Sequence, residues 1–67
     1  MRKVCFTDKQ HGLKLVQNGP DNFTVTYQMH ERAGLNYMRA ALELGECMMH
    51  ALSCEGKVDN RERYEVA

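Results

Sequence analysis

Three residues in the second half of the chain carry side chains that can bind a metal or act as a nucleophile. Cys47, His50 and Cys54 stand at positions i, i+3 and i+7, which on an α-helix places them within about 60° of one another. Thiolates and imidazoles are zinc ligands. A fourth ligand would have to come from elsewhere, and the candidates are His30, His11 and Cys5. Because the sequence has no Cys-x-x-Cys pair, we expect no bound metal and interpret the two cysteines as half-buried thiols beside a solvated imidazole.

Catalysis by the same residues is not expected. A cysteine–histidine nucleophile also needs a third group that orients the base and a cleft that binds the oxyanion. A chain of 67 residues has little volume for such a cleft. The glycines stand singly, at Gly12, Gly19, Gly34, Gly45 and Gly56, and do not form a phosphate-binding loop. The sequence therefore predicts no enzyme, no catalytic residue and no cofactor.

The distribution of charges argues against nucleic acids as partners, and the lengths of the apolar runs argue against a membrane-spanning segment. Nine basic and nine acidic residues give a net charge of zero, and the two kinds are interleaved along the chain. A phosphate backbone is bound by clustered Lys and Arg, so nucleic-acid binding would need a dimer that brings the scattered basic residues together. No apolar run approaches the ~20 residues that span a bilayer, and the polar segment 8–11 interrupts any signal-peptide core. We expect a cytoplasmic protein.

The length of the chain predicts a single domain, residues 1–67, that needs additional stabilisation. A domain of ~60 residues buries only about 60% of the surface of its unfolded chain, and small scaffolds usually add disulfides, a metal or a second subunit. The cysteine count is odd, and Cys47 and Cys54 would lie roughly 10 Å apart along a helix. Disulfides are therefore excluded as the stabilising element, which leaves a second subunit as the expected one.

The first half of the chain has the two-residue period of β-strands. Segments 3–7, 13–17 and 23–29 are separated by the turn-forming segments 8–12 and 18–22. Short connections predict antiparallel neighbours. The opposite face of the sheet is polar and rich in Thr, with Val16 among its members. The apolar face consists of Val4, Phe6, Leu13, Leu15, Phe23, Val25, Tyr27 and Met29.

The second half changes to a helical period from about Glu31 to Ser53, and Gly56 suits the position after the helix end. The fold class is therefore α+β, with a three-stranded antiparallel meander packed on one long C-terminal helix. Residues 57–67 could add a short terminal strand or form a tail. The helix has two adjacent apolar stripes. One is formed by Leu35, Met38, Leu42, Met49 and Leu52, and the other by Tyr37, Ala41, Leu44, Met48 and Ala51.

The predicted helix is too long and too apolar for its sheet. It would measure about 34 Å, whereas strands of five to seven residues span about 17–23 Å. Its apolar arc covers roughly 200–220°, and a helix on one sheet needs little more than ~100°. The excess predicts a homodimer or a docking surface, unless residues 57–67 fold back over it. The predicted interface is Tyr37, Ala41, Leu44, Gly45, Met48, Ala51 and Leu52.

The functional hypothesis that follows is a small non-enzymatic protein-binding module. It would act by occupying a surface of a larger protein, as an inhibitor or adaptor such as a phage or mobile-element antagonist of host defence machinery. Two alternatives stay open. One is a metal- or redox-responsive regulator that uses Cys47, His50 and Cys54, and the other is a dimeric nucleic-acid-binding regulator.

Overall fold

The computed structural model describes residues 2–59 of the chain. This part folds into four β-strands followed by one α-helix: β1 (Lys3–Asp8), β2 (Leu13–Gly19), β3 (Asn22–Tyr27), β4 (His30–Leu35) and α1 (Tyr37–Cys54). The predicted fold class, an antiparallel meander packed on one C-terminal helix, is confirmed, with a fourth strand in addition to the predicted three. The terminal strand considered for residues 63–66 lies outside the described residues.

The four strands form one antiparallel sheet in the order β1-β2-β3-β4, so each strand pairs with its neighbour in sequence. Leu15 lies opposite Phe6 on one side and Val25 on the other. These three residues therefore share the face on which the helix packs. A register shift between Val4 and Phe6 interrupts the pairing of β1 with β2, as a β-bulge does.

The segment that was predicted to begin the helix forms β4. The helix starts at Tyr37 and not at Glu31, because residues 30–35 pair with β3. A two-residue turn makes this pairing possible, since Gln28 adopts a positive φ of 54° of the kind that tight hairpin turns require. Gly34, with φ 69°, accompanies a register shift near the end of the strand. Helical periodicity before Tyr37 was thus a misleading signal.

Both ends of α1 are capped by side chains or by local backbone. The side chain of Asn36 accepts a hydrogen bond from the Arg39 backbone N–H at 2.8 Å, and Asp21 accepts one from the Tyr37 N–H at 2.8 Å. These two bonds satisfy amides that a helix leaves without partners. At the other end, the Lys57 N–H donates to the Leu52 carbonyl at 2.9 Å. Together with Gly56 at φ 76°, this is a Schellman motif, as the position of Gly56 predicted.

The core lies between the sheet and one side of the helix. Its buried residues are Leu13, Phe23, Val25 and Ala40. Four apolar positions differ in exposure from what the predicted sheet faces imply, and one of them is Phe6 on β1, which is 39% exposed. Met29, in the β3–β4 turn, is 96% exposed, and Val4 on β1 is more than half exposed. Val16, which was assigned to the solvated face, is only 2% exposed.

The length mismatch between helix and sheet is smaller than predicted. The helix has 18 residues, or about 27 Å at ~1.5 Å per residue. The strands have six or seven residues, which span roughly 20–23 Å. Because residues 30–35 widen the sheet instead of lengthening the helix, the overhang is a few ångströms. The excess of apolar surface must therefore be sought around the helix and not at its end.

Candidate functional site

A row of exposed apolar side chains runs along α1. Met38, Leu42 and Met49 are 71%, 54% and 51% exposed. Gly45 lies between the last two, and a methyl group at its Cα would meet nothing within 4 Å. We call Met38, Leu42, Gly45 and Met49 the exposed row. Their spacing of four, three and four residues is that of the contact positions in a coiled coil.

The exposed row is separate from the side of the helix that packs on the sheet. Ala40 and Ala51 are buried, and Leu44, Cys47 and Met48 pack partly buried against the core. At ~100° per residue, the mean direction of the row lies about 145° round the helix from these sheet-facing residues. The apolar arc is thus wider than one sheet covers, as the sequence indicated.

The structure revises which residues supply the accessible part of this arc. Leu44, Met48 and Ala51 were predicted at an interface, but Leu44 and Met48 pack against the core and Ala51 is buried. Tyr37, Ala41 and Gly45 are exposed, and Leu52 is half-buried. Met38, Leu42 and Met49, which were not among the predicted interface residues, are exposed instead. The two apolar stripes have similar composition and the same periodicity, so the sequence does not indicate which of them packs on the sheet.

An apolar groove lies beside the first half of the helix. Tyr37 packs edge-on against Phe23, with ring centroids 6.1 Å apart. The groove has a volume of about 200 Å³ and is lined by Leu15, Phe23, Tyr37, Ala40, Ala41 and Leu44. It adjoins the exposed row through Ala41, so the apolar surface continues from the helix toward the sheet.

Charged residues flank the other side of the exposed row. Arg39 is largely exposed and lies 3.9 Å from Glu43, which also contacts Arg32 at 3.8 Å. Both contacts are long and involve largely exposed arginine side chains, so they contribute little to stability. Glu46 is exposed and makes no ion pair within residues 2–59. One acidic and one basic side chain are therefore available beside the row, seven residues apart.

No family model, curated protein or solved structure matches this chain.

A second cluster joins the β1–β2 turn to the end of the helix. His11 Nδ1 lies 2.6 Å from Asp8 Oδ2, and His11 Nε2 lies 2.9 Å from Glu55 Oε2. Gln10 also donates to Glu55 at 3.2 Å, and Asp8 accepts the backbone N–H of Gln10 at 3.1 Å. The ring of His11, a candidate fourth zinc ligand in the sequence, is instead held between two carboxylates. The cluster fixes the helix to the sheet.

The ionisation of this cluster follows from its geometry. The hydrogen bond to Asp8, and then the one to Glu55, raise the pKa of His11. The hydrogen bond from His11 lowers the pKa of Asp8 and is also the main cause of the lowered pKa of Glu55. A protonated imidazole can donate to both carboxylates at once. The most stable charge state of the cluster is therefore a protonated His11 between the ionised carboxylates of Asp8 and Glu55.

The residues considered for zinc are partly brought together. His50 Nδ1 lies 3.1 Å from the Tyr27 hydroxyl, and His50 Nε2 lies 3.9 Å from Cys54 Sγ. Cys47 packs on the core instead, and burial raises the pKa of its thiol. Among residues 2–59, no group of three His, Cys, Asp or Glu side chains has an arrangement that could hold a metal ion. In the same part of the chain, no helix combines the length and apolar character needed to cross a membrane.

Proposed function

We propose that this domain is a non-enzymatic protein-binding module that uses the exposed row of α1 to cover a surface of another protein. The observation that supports the proposal is the exposure of Met38, Leu42 and Met49, each of which leaves at least half of its side chain in water. Contiguous exposed apolar side chains on a small domain are typical of interaction surfaces.

The partner surface that suits the row is an apolar face of a helix. Its four positions repeat with coiled-coil spacing, and Gly45 allows a second backbone to approach closely. The methionines add adaptability, because an unbranched thioether side chain can fit differently shaped surfaces. The groove next to Tyr37 can accept an apolar side chain of the partner at the edge of the contact.

The energy available from this face is moderate. Full burial of one large apolar side chain contributes about 1.5–3 kcal/mol. Part of that gain is offset by the loss of translational and rotational freedom on association. Three side chains with the flanking tyrosine therefore suit a reversible inhibitor or adaptor, such as a phage or mobile-element antagonist of host defence machinery. We locate this activity in the cytoplasm, where the free thiols of Cys5, Cys47 and Cys54 would stay reduced.

The proposal is tested by removing the apolar character of the row without changing the fold. Leu42→Glu combined with Met49→Glu places two charges on the row. Met29→Glu is the matched control, because Met29 is 96% exposed in the β3–β4 turn and does not belong to the exposed row. Circular dichroism and thermal unfolding would confirm that all three proteins are folded.

The measurement is quantitative affinity capture from cells that contain the native partner. We expect the wild type and Met29→Glu to retain the same protein and the double variant to lose it by at least tenfold. Equal retention by all three chains, or no retained protein at all, would contradict the proposed function.

A further inference from the structure

We infer that, in the absence of any other protein, the exposed row is covered by α1 of a second copy of this chain, in antiparallel orientation. The inference rests on the proposed function, since it names a partner for the same face. Three independent features of the helix support it: the fit of side-chain sizes along the row, the charges beside it, and the small core of the monomer.

The side chains of the row are complementary to themselves when the second helix runs in the opposite direction. A two-fold axis midway between Leu42 and Gly45 places Leu42 of each copy against Gly45 of the other. A large side chain then fills the open space that surrounds the glycine. The same axis places Met38 of each copy against Met49 of the other. All four positions of the row are used, twice each, in an isologous contact.

The charges that flank the row select the same arrangement. In this register Arg39 of one copy and Glu46 of the second lie on the same side of the contact, offset by about 3 Å along the axis at ~1.5 Å per residue. Two such pairs form, because the contact is symmetric. Within the described residues 2–59, the one ion pair of the Arg39 side chain is a 3.9 Å contact to Glu43, and a contact this long gives little reason for the side chain to stay in place.

A parallel arrangement lacks both features. Equivalent residues would then face each other, so Gly45 would lie against Gly45 and leave a gap. The residue that faces Glu46 across a parallel coiled coil is Ala41, which has no charge. The opposed helix dipoles of an antiparallel pair add to the preference.

The size of the domain provides the reason for association. Six apolar residues of the described chain are buried: Leu13, Val16, Phe23, Val25, Ala40 and Ala51. A core this small supplies little net stability, and a second helix layer would add buried apolar area. One helix from each copy gives an interface at the small end of specific contacts, so we expect a dissociation constant on the order of micromolar.

The test uses charge reversal and sedimentation velocity of the full chain over a range of concentrations. We expect the wild type to convert from monomer to dimer as its concentration rises. Arg39→Glu and Glu46→Arg alone should each weaken the dimer roughly tenfold or more, because like charges then meet at both pairs. An equimolar mixture of the two variants should form a heterodimer of wild-type affinity, since both pairs become complementary again.

A further variant, Gly45→Ala, separates a loss of dimerisation from a loss of folding. Gly45→Ala adds a methyl group that meets nothing in the monomer, and Ala favours a helix interior over Gly. We expect this variant to raise the thermal stability of the monomer and to weaken the dimer severalfold, because the methyl group obstructs the approach of Leu42.

The outcomes separate this inference from the proposed function. A chain that stays monomeric at all concentrations, or a dimer that the charge reversals do not affect, would overturn the inference. If the chain proves monomeric but the Leu42→Glu and Met49→Glu double variant still fails to capture the partner, the proposed function stands and only the dimer is overturned. If capture is unchanged as well, both are overturned.

Discussion

The Nε2 atom of His11 lies 2.9 Å from Oε2 of Glu55, so the first turn of the sheet is joined directly to the last residue of the helix cap. At the opposite end of the helix, Asp21 of the β2–β3 turn accepts the Tyr37 N–H. The helix is thus attached to the sheet at both ends by side chains of turns, in addition to the apolar contacts along its length. This attachment fixes the direction in which the exposed row points.

The contribution of His11 to stability should depend on pH. Because its pKa is raised in the folded protein, that contribution is fully present below the ordinary histidine value of 6.5 and is lost as the pH rises through the raised pKa. The lowered pKa values of Asp8 and Glu55 add stability that is present above about 4.5 and is lost as the pH falls through their folded values. The cluster should therefore stabilise most between about pH 4.5 and 6.5.

The measurement is the free energy of unfolding by urea for the wild type and His11→Gln from pH 3 to 9. We expect the difference between the two proteins to be largest within that window and to shrink on both sides. His30→Gln is the control, because His30 is exposed and makes no side-chain hydrogen bond within residues 2–59. A difference for His11→Gln that does not vary with pH would show that the ring acts only by packing.

Gly12 and Gly34 allow backbone strain to be separated from close packing. Both have a positive φ, 67° and 69°, and an alanine in that conformation costs about 1–2 kcal/mol. A methyl group at Gly12 would also lie 3.3 Å from Gln28 Cα, whereas one at Gly34 would meet nothing within 4 Å. We expect Gly12→Ala to lower the free energy of unfolding more than Gly34→Ala does. Equal losses would show that the β3–β4 turn moves away freely.

Leu13 should be among the positions that are most sensitive to truncation. It is 1% exposed and belongs to the core under the helix. Leu13→Ala should cost about 2–5 kcal/mol through lost burial and the cavity left behind, which is a large part of the stability of so small a domain. Met29→Ala, at an exposed position, should change the free energy of unfolding by less than about 0.5 kcal/mol. Thermal unfolding followed by circular dichroism measures both.

The three thiols should react at different rates with iodoacetamide. Cys5 and Cys54 are exposed, whereas Cys47 is half-buried and has a pKa raised mainly by burial. Because the thiolate is the reactive form, we expect Cys47 to be alkylated last in the native protein. Peptide mass spectrometry over time would show the order, and unfolding in urea should remove most of the difference. Early modification of Cys47 in the native state would contradict its position against the core.

The strands and the end of the helix were accessible from sequence, but the start of the helix was not. Alternation of apolar and polar residues located β1 to β3, and Gly56 located the C-terminal cap. Residues 30–35 do not alternate between apolar and polar side chains. In the structure Arg32 lies opposite Val25, and a register shift follows this pair. The turn before them contains Gln28 at a positive φ, where Gly or Asn would have been the recognisable signal. Residues 30–35 form a strand because they pair with β3, although their own sequence pattern favours a helix.

The candidate site was only partly predictable, for two different reasons. The width of the apolar arc on the helix was visible in the sequence, but the rotation of the helix about its axis depends on packing against Phe23, Val25 and their neighbours. The contact of His11 with Glu55 depends on where the helix ends relative to the first turn. A signal did exist in part, because Asp8 and His11 are spaced so that an Asx turn brings them together.

The meander order also has a consequence for how the chain reaches this structure. Every strand pairs with the strand next to it in sequence, so the hairpins close short loops at low entropic cost and can form one after another. The His11–Glu55 contact joins residues 44 positions apart, and it can form only after the helix has been synthesised and laid back over the sheet. We therefore expect this contact to complete folding and to be among the first lost on heating.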